Sequence, residues 1–417
     1  MHLRIPHCTL ALACFLLFVA FGELSAQTET VLYSFQGSNV NPPDGVSPQS
    51  RLTFDSAGNL YGLTGAGGLY GAGTVYELSP NAAGNYVERV LYNFTGGADG
   101  GGYGECLGTD VCNSYLIFDG AGNLYGTMGG GGAYKWGVVF ELSPHTGPTG
   151  TTWTESVLHS FTGSSDGLAP TNGLVMDKSG NLYGVTQSDF YQRETPGTVY
   201  KLAPSRGTWT LHTIYVFPGD DNTTSGLAMD ASGNIFGSTF QFVFELSPNG
   251  RSGWRSKVLH TFTTANGAPD NGPVLDGAGN LYGTTVDGGA KNFGTVYKLS
   301  RGPKGGWNYR ILHSFRNATD GSNPLSGLLL DSSANIYGTA QGGGAYGQGT
   351  VFELVAPVGI GSYKEKTVWS FQDRAAPVPY GSLIFDGSGN LYGTTAAGGV
   401  VCDNTGNGCG TVFKVTP

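Results

Sequence analysis

The chain has 417 residues, only 12% of them charged, and a formal net charge of −9. An acidic, charge-poor chain argues against nucleic acid or an anionic membrane surface as an electrostatic partner. Gly (71), Tyr (22) and Phe (22) are abundant, which suits many short strands joined by tight turns, and no stretch carries a helical period.

In chain order, the first element reads as an export signal: Arg4, an apolar run over 8–21, and the small residue Ala26, after which cleavage is expected. That run falls short of the ~20 residues a membrane span needs, and no later segment is long and apolar enough. The remainder, 27–417, reads as one domain that is secreted, periplasmic or at the cell surface, with no linker dividing it. Its cysteines form two close pairs, Cys106/Cys112 and Cys402/Cys409, inside Gly-rich loops. In an oxidising compartment such pairs form local disulfides. A zinc site is the sharper alternative, but no His lies near either pair and neither has Cys-x-x-Cys spacing.

From Asp55 onward one unit repeats. Asp55-Ser56-Ala57-Gly58-Asn59-Leu60-Tyr61-Gly62 recurs from Asp119, Asp177, Asp230, Asp276, Asp331 and Asp386, giving seven copies. A short apolar run precedes each Asp. After each copy comes a segment such as Gly73-Thr74-Val75-Tyr76-Glu77-Leu78, then a Val-Leu-aromatic-Ser-Phe segment such as 157–161. These segments are rich in β-branched and aromatic residues and bounded by Gly, Pro, Asn or Asp, so they are predicted strands. Four strands in roughly fifty residues is the period of a propeller blade. The Asp-x-x-Gly-Asn turn is too tight for a crossover, so pairing is antiparallel.

The part after the signal begins with a fourth-type strand, 28–35, and ends with a third-type strand, 410–416. Each supplies what the other lacks. The expected fold is therefore all-β: a seven-bladed β-propeller of four-stranded antiparallel blades, closed by the N-terminal strand pairing with the last blade so that no edge stays unpaired there.

Asp-x-x-Gly-Asn-Leu-Tyr-Gly-Thr-Thr, with downstream Gly-Thr-Val-Phe-Lys-Leu, Val-Leu-His-Ser-Phe and Asp-Gly-x-x-Pro, resembles the GloVer-type tandem repeats of secreted bacterial proteins. The resemblance spans nearly all of 27–417. It implies an exported propeller-like protein of no assigned activity and offers no catalytic residue to carry over. Family members are often surface-anchored, whereas this chain stops at Pro417 directly after its last predicted strand, so no anchor is expected.

A turn Asp present in every blade answers a need that every blade shares: it accepts backbone N–H groups while Gly supplies positive φ. His159, His260 and His313 occupy a slot that Tyr33, Tyr92, Tyr215 and Trp369 fill in other blades, so the slot wants a flat amphipathic ring rather than a base. Tyr86, Trp153, Trp209, Trp254, Trp307 and Tyr363 read as packing between blade edges.

Loops that differ between blades are freer to carry function. The links from second to third strand and from blade to blade share one face, include the long segments 95–114 and 396–410, and hold both cysteine pairs. On this expected binding face Tyr70, Tyr134 and Tyr346 follow Gly-Gly pairs, with Trp136 near one of them; exposed rings could stack on sugars or peptides. Asp44, Asp99, Asp166 and Asp320 each precede a Gly in blade-to-blade links, where a carboxylate either forms a turn or binds Ca²⁺ through oxygen. No Gly-x-Ser-x-Gly elbow, Walker loop, His-Glu-x-x-His or haem motif appears, and beyond Ca²⁺ no cofactor is expected. The expectation is a non-enzymatic extracytoplasmic binding or scaffold module whose partner is a glycan or a protein. The alternative is a secreted carbohydrate-active hydrolase or lyase using Asp99, Glu105, Asp220 and Asp221, since glycosidic chemistry employs carboxylates roughly 5–9 Å apart.

Overall fold

The computed structural model describes residues 27–102, 114–148, 150–188, 195–218, 226–250, 253–269, 271–372, 378–402 and 408–417. The predicted export signal, Cys106, Cys112, Glu105, Asp220 and Asp221 lie outside them.

Each blade starts from a turn that the repeated Asp builds with its own side chain. Asp55 Oδ1 accepts the N–H groups of Ala57 and Asn59 at 2.8 and 2.9 Å, while Oδ2 accepts from the Asn59 amide at 2.8 Å and the Tyr61 hydroxyl at 3.1 Å. Equivalent bonds recur at Asp119, Asp177, Asp276 and Asp386. Burial raises these five carboxyls, but the donors outweigh it and hold them below the ordinary Asp range.

The second glycine of the repeat has a different cause. A Cβ on Gly62 would lie 2.3 Å from the Tyr76 hydroxyl of the neighbouring strand, and one on Gly126 would lie 2.6 Å from the Phe140 ring. Gly184, Gly237, Gly283, Gly338 and Gly393 meet Tyr200, Phe244, Tyr297, Phe352 and Phe413 in the same way. The motif therefore couples a turn to a slot for one buried ring on the third strand.

Seven four-stranded antiparallel sheets result. In the first blade the order from axis to rim is Thr53–Phe54, Leu60–Thr64, Thr74–Pro80 and Tyr86–Asn93. The innermost strands are shorter than the sequence pattern predicts: two residues in six blades, against nine in Leu168–Met176 of the third. Such a strand has a partner on one side only, and its ladder ends where the chain leaves the sheet for the preceding link. In every blade the rim strand carries a bulge against the third strand, as between Val75 and Tyr76.

The core lies between blades rather than within them. The seven clusters of buried apolar side chains each draw on two neighbouring blades. One of them joins Leu60, Tyr76 and Leu78 of the first blade to Phe35, Tyr392 and Val412 of the seventh, which closes the ring. At that seam Thr28–Ser34 pairs with Thr411–Thr416, from Thr28 opposite Thr416 to Ser34 opposite Thr411. Phe35 N–H then bonds Gly410 O at 3.0 Å, as Phe94 bonds Gly73 within the first blade.

Candidate functional site

Short turns occupy one face of the ring, so its variable chemistry collects on the other. There the Gly-Gly pairs, at positive φ in Gly67, Gly68, Gly131, Gly132, Gly343 and Gly344, fold the second-to-third loops tightly and leave the next side chains outward. Tyr70 is 58% exposed, Tyr134 58%, Trp136 43% and Tyr346 59%. Trp136 is also seated: its ring covers Gly163 of the following link, where a Cβ would come within 2.5 Å of Nε1. Sequence reasoning missed Leu69, Val400 and Val401, which are exposed at the same loop position, although a Gly-Gly pair precedes them too. Together these side chains form an apolar arc over blades six, seven, one and two, which are consecutive around the ring. In the fifth blade Lys291 and Asn292 take the equivalent place. Within the arc, Leu69, Val46, Pro43, Val378 and Ala397 line a crevice of about 710 Å³.

The four Asp-Gly carboxylates turn inward from this face. Asp44 is buried and accepts from the N–H groups of Gln36 and Gly37 and from the Tyr33 hydroxyl at 2.8 Å. Asp99 accepts from Thr95 and from Tyr92 at 3.0 Å, Asp166 from Thr162 and His159 at 3.0 Å, and Asp320 accepts from the Ala318 N–H and lies 3.3 Å from His313 without a hydrogen bond between them. In the fifth link Asn266 does the same work, accepting from Thr263 and contacting His260. The ring on the rim strand thus bonds the following link at Tyr33, Tyr92, His159 and His260. Burial raises Asp166, yet the donors from Thr162 and His159 hold it below its ordinary range; at Asp44 burial prevails and the carboxyl is raised. Among the described residues, no three His, Cys, Asp or Glu side chains are grouped to hold a metal ion.

Three further carboxyls stand against these links. Glu88 is raised to about 7 by burial and by Asp44, Glu155 to about 7 by burial and by Asp99, and Glu365 is raised by burial and by Asp320. Each lies on the rim strand of one blade and faces the link that follows the rim strand before it.

Cys402 and Cys409 form the expected disulfide on the long-loop face. Cys409 is buried in the seam cluster beside Phe35 and Val412.

The axis holds what the repeat pattern concealed. Residues at the start of the inner strands, among them Arg51, Tyr115, Asn172, Asn271 and Ser382, line a cavity of about 200 Å³, and among the described residues no carboxylate lines it. Of the groups assigned to the hydrolase alternative, Asp99 is engaged by Thr95 and Tyr92 as above, and the other three lie outside the described residues.

Seven blades, a paired seam and one elaborated face define a closed seven-bladed β-propeller. The chain belongs to the Gloeobacter/Verrucomicrobia repeat family, whose pattern matches residues 22–241 and 241–417. No curated protein matches it in sequence. Among solved structures it is similar to a luciferin-regenerating enzyme, at 14% identity and TM-score 0.43 over 94% of this chain and 95% of that one. It is similar also to a Carbohydrate-Active Enzymes Family AA12 protein of Trichoderma reesei, at 14% identity and TM-score 0.43 over 94% and 96%. The extracellular domain of a hybrid two component system from B. thetaiotaomicron matches at 13% identity and TM-score 0.36, over 85% of this chain and 39% of that one. At these levels no activity is carried over. No helix among the described residues is long and apolar enough to cross a membrane.

Proposed function

We propose that this propeller is an extracytoplasmic binding module that engages a glycan across the apolar arc of blades six, seven, one and two. The observation that carries the reading is the placement of Tyr70, Tyr134, Trp136 and Tyr346 as exposed rings on neighbouring Gly-rich loops. Flat rings held by short loops offer faces to sugar rings at little cost in side-chain entropy. The crevice beside Leu69 falls within the size range of small-ligand clefts. The inward Asp carboxylates stiffen the links under these loops, which makes them supports for the face rather than groups presented on it. Extracytoplasmic residence rests on the export signal expected over 1–26 and on the Cys402–Cys409 disulfide.

Glycan and peptide arrays probed with the purified protein test the reading. A glycan hit that weakens at least tenfold in Tyr134→Ala, Trp136→Ala or Tyr346→Ala is expected. Silence on the glycan array, or a hit confined to peptides, refutes it.

A further inference from the structure

Four places before each turn Asp, the seven blades set seven residues around the axis: Arg51, Tyr115, Gly173, Gly226, Gly272, Gly327 and Ser382. A strict repeat would fill this ring evenly, yet two large side chains stand on neighbouring blades and four positions are glycine. The uneven filling leaves the cavity of about 200 Å³.

Arg51 is the charged residue of its lining. The guanidinium carbon sits 3.8 Å from the centroid of the Tyr115 ring, so the group is stacked and its plane is fixed. Tyr115 is fixed in turn, because its ring lies where a Cβ on Gly173 would come within 2.2 Å. The ion pairs among the described residues all lie elsewhere, and Arg51 Nε is buried without a partner. Asn172, on the same lining, is 2% exposed, and its Oδ1 is buried without a donor. Its amide nitrogen reaches only Thr171 Oγ1, at 3.4 Å. The backbone that carries it is held: φ is +63°, and its carbonyl accepts from Thr127 at 3.0 Å.

The Arg51 Nε–H without an acceptor and the Asn172 Oδ1 without a donor are each unfavourable when buried. One ligand satisfies both if it brings a carboxylate and a hydroxyl. The carboxylate matches the planar fork of the guanidinium, and the hydroxyl donates to Asn172 Oδ1. The cavity suits a small ligand: ~150 Å³ is enough to admit benzene. Leu227, Val274, Leu329 and Ile384 supply apolar lining, which excludes water and strengthens the charged contact. We propose that the axial cavity binds a small hydroxy acid, with Arg51 holding its carboxylate and Asn172 accepting from its hydroxyl. This site is independent of the aromatic arc, and either proposal can fail alone.

Calorimetric titration of the purified protein with D-glycerate at low ionic strength tests it, with propionate, which lacks the hydroxyls, and glycerol, which lacks the carboxylate, as controls. One saturable site per chain is expected for glycerate, with severalfold weaker binding of propionate and at least tenfold weaker binding of glycerol. Arg51→Met should weaken glycerate at least tenfold. Gly226→Val provides a second variant: its Cβ meets its nearest neighbours at an ordinary 3.9 Å, and its methyl groups occupy the cavity and should abolish binding. The proposal is overturned if native protein shows no saturable glycerate site, if propionate or glycerol binds equally well, or if both variants, shown folded by circular dichroism, bind like the native chain.

Discussion

Replacing Glu88 by Gln should stabilise the propeller above neutral pH and leave it nearly unchanged at pH 4. Glu88 lies partly buried on the rim strand Tyr86–Asn93, and its Oε1 is buried without a partner. The groups facing it belong to the seam: the Asp44 carboxylate, and the Tyr33 hydroxyl that Asp44 accepts from. Burial first, then the like charge of Asp44, lift its pKa from 4.5 to about 7. The folded chain therefore keeps a proton that the unfolded chain releases. The resulting stabilisation is complete below about pH 4.5 and is lost as the pH rises through 7. At 1.36 kcal/mol per pH unit the ceiling is about 3 kcal/mol, and partial exposure screens it to about 2 kcal/mol. Gln fills the same space without titrating and can donate its amide to Asp44. For a chain of this size that amounts to a Tm gain of roughly 2–4 °C at pH 8 and close to none at pH 4, read from paired thermal melts across the pH range. An equal offset at both pH values would refute the carboxyl–carboxylate account of Glu88.

Changing Cys402 and Cys409 together to Ser should cost about 2 kcal/mol, the loop-closure value for a bridge over so short a separation, and a reductant should lower the native melt by more than that of the variant, which keeps the Cys106/Cys112 pair. Gly338→Ala should cost about 1–3 kcal/mol because its Cβ would sit 2.6 Å from the Phe352 ring, whereas Gly387→Ala, with nothing within 4 Å, should melt like the native chain; equal melts for the two variants would refute the ring-slot reading of the repeat.

Blade number, strand order and seam were legible because each rests on a device repeated seven times. Asp55 and its counterparts build their turn from side chains at most six positions away, so the letters alone carry the geometry. The Asp-Gly links were legible only as turns. Where Asp44 points depends on Tyr33, eleven residues back across a bulge, and Asn266 joins the set although it does not share the Asp. Glu88 facing Asp44 is a contact between separate blades, invisible to any local pattern. Arg51 was concealed for the opposite reason: a reading that seeks what repeats records the inner strand as a short apolar run and passes over the position at which seven blades differ.

Those differences are not scattered around the ring. Arg51 and Tyr115 mark the first and second blades; Leu69, Tyr70, Tyr134, Trp136 and the exposed Val400 and Val401 belong to the seventh, first and second; the disulfide lies on the seventh. A small extra ladder, Gly45–Val46 with Ala66–Gly67, ties the seam link to the loop that carries Leu69 and Tyr70. All of this surrounds the one place where the ring is joined by a strand from the other end of the chain. A closed ring of like blades tolerates divergence where further local contacts offset it, and the seam is where this chain has added them: Cys409 against Phe35 in one cluster, and Gly37 N–H on Asp44. The reinforcement that keeps the propeller shut therefore includes the ladder that holds the loop of Leu69 and Tyr70, so closure and the proposed binding face share contacts.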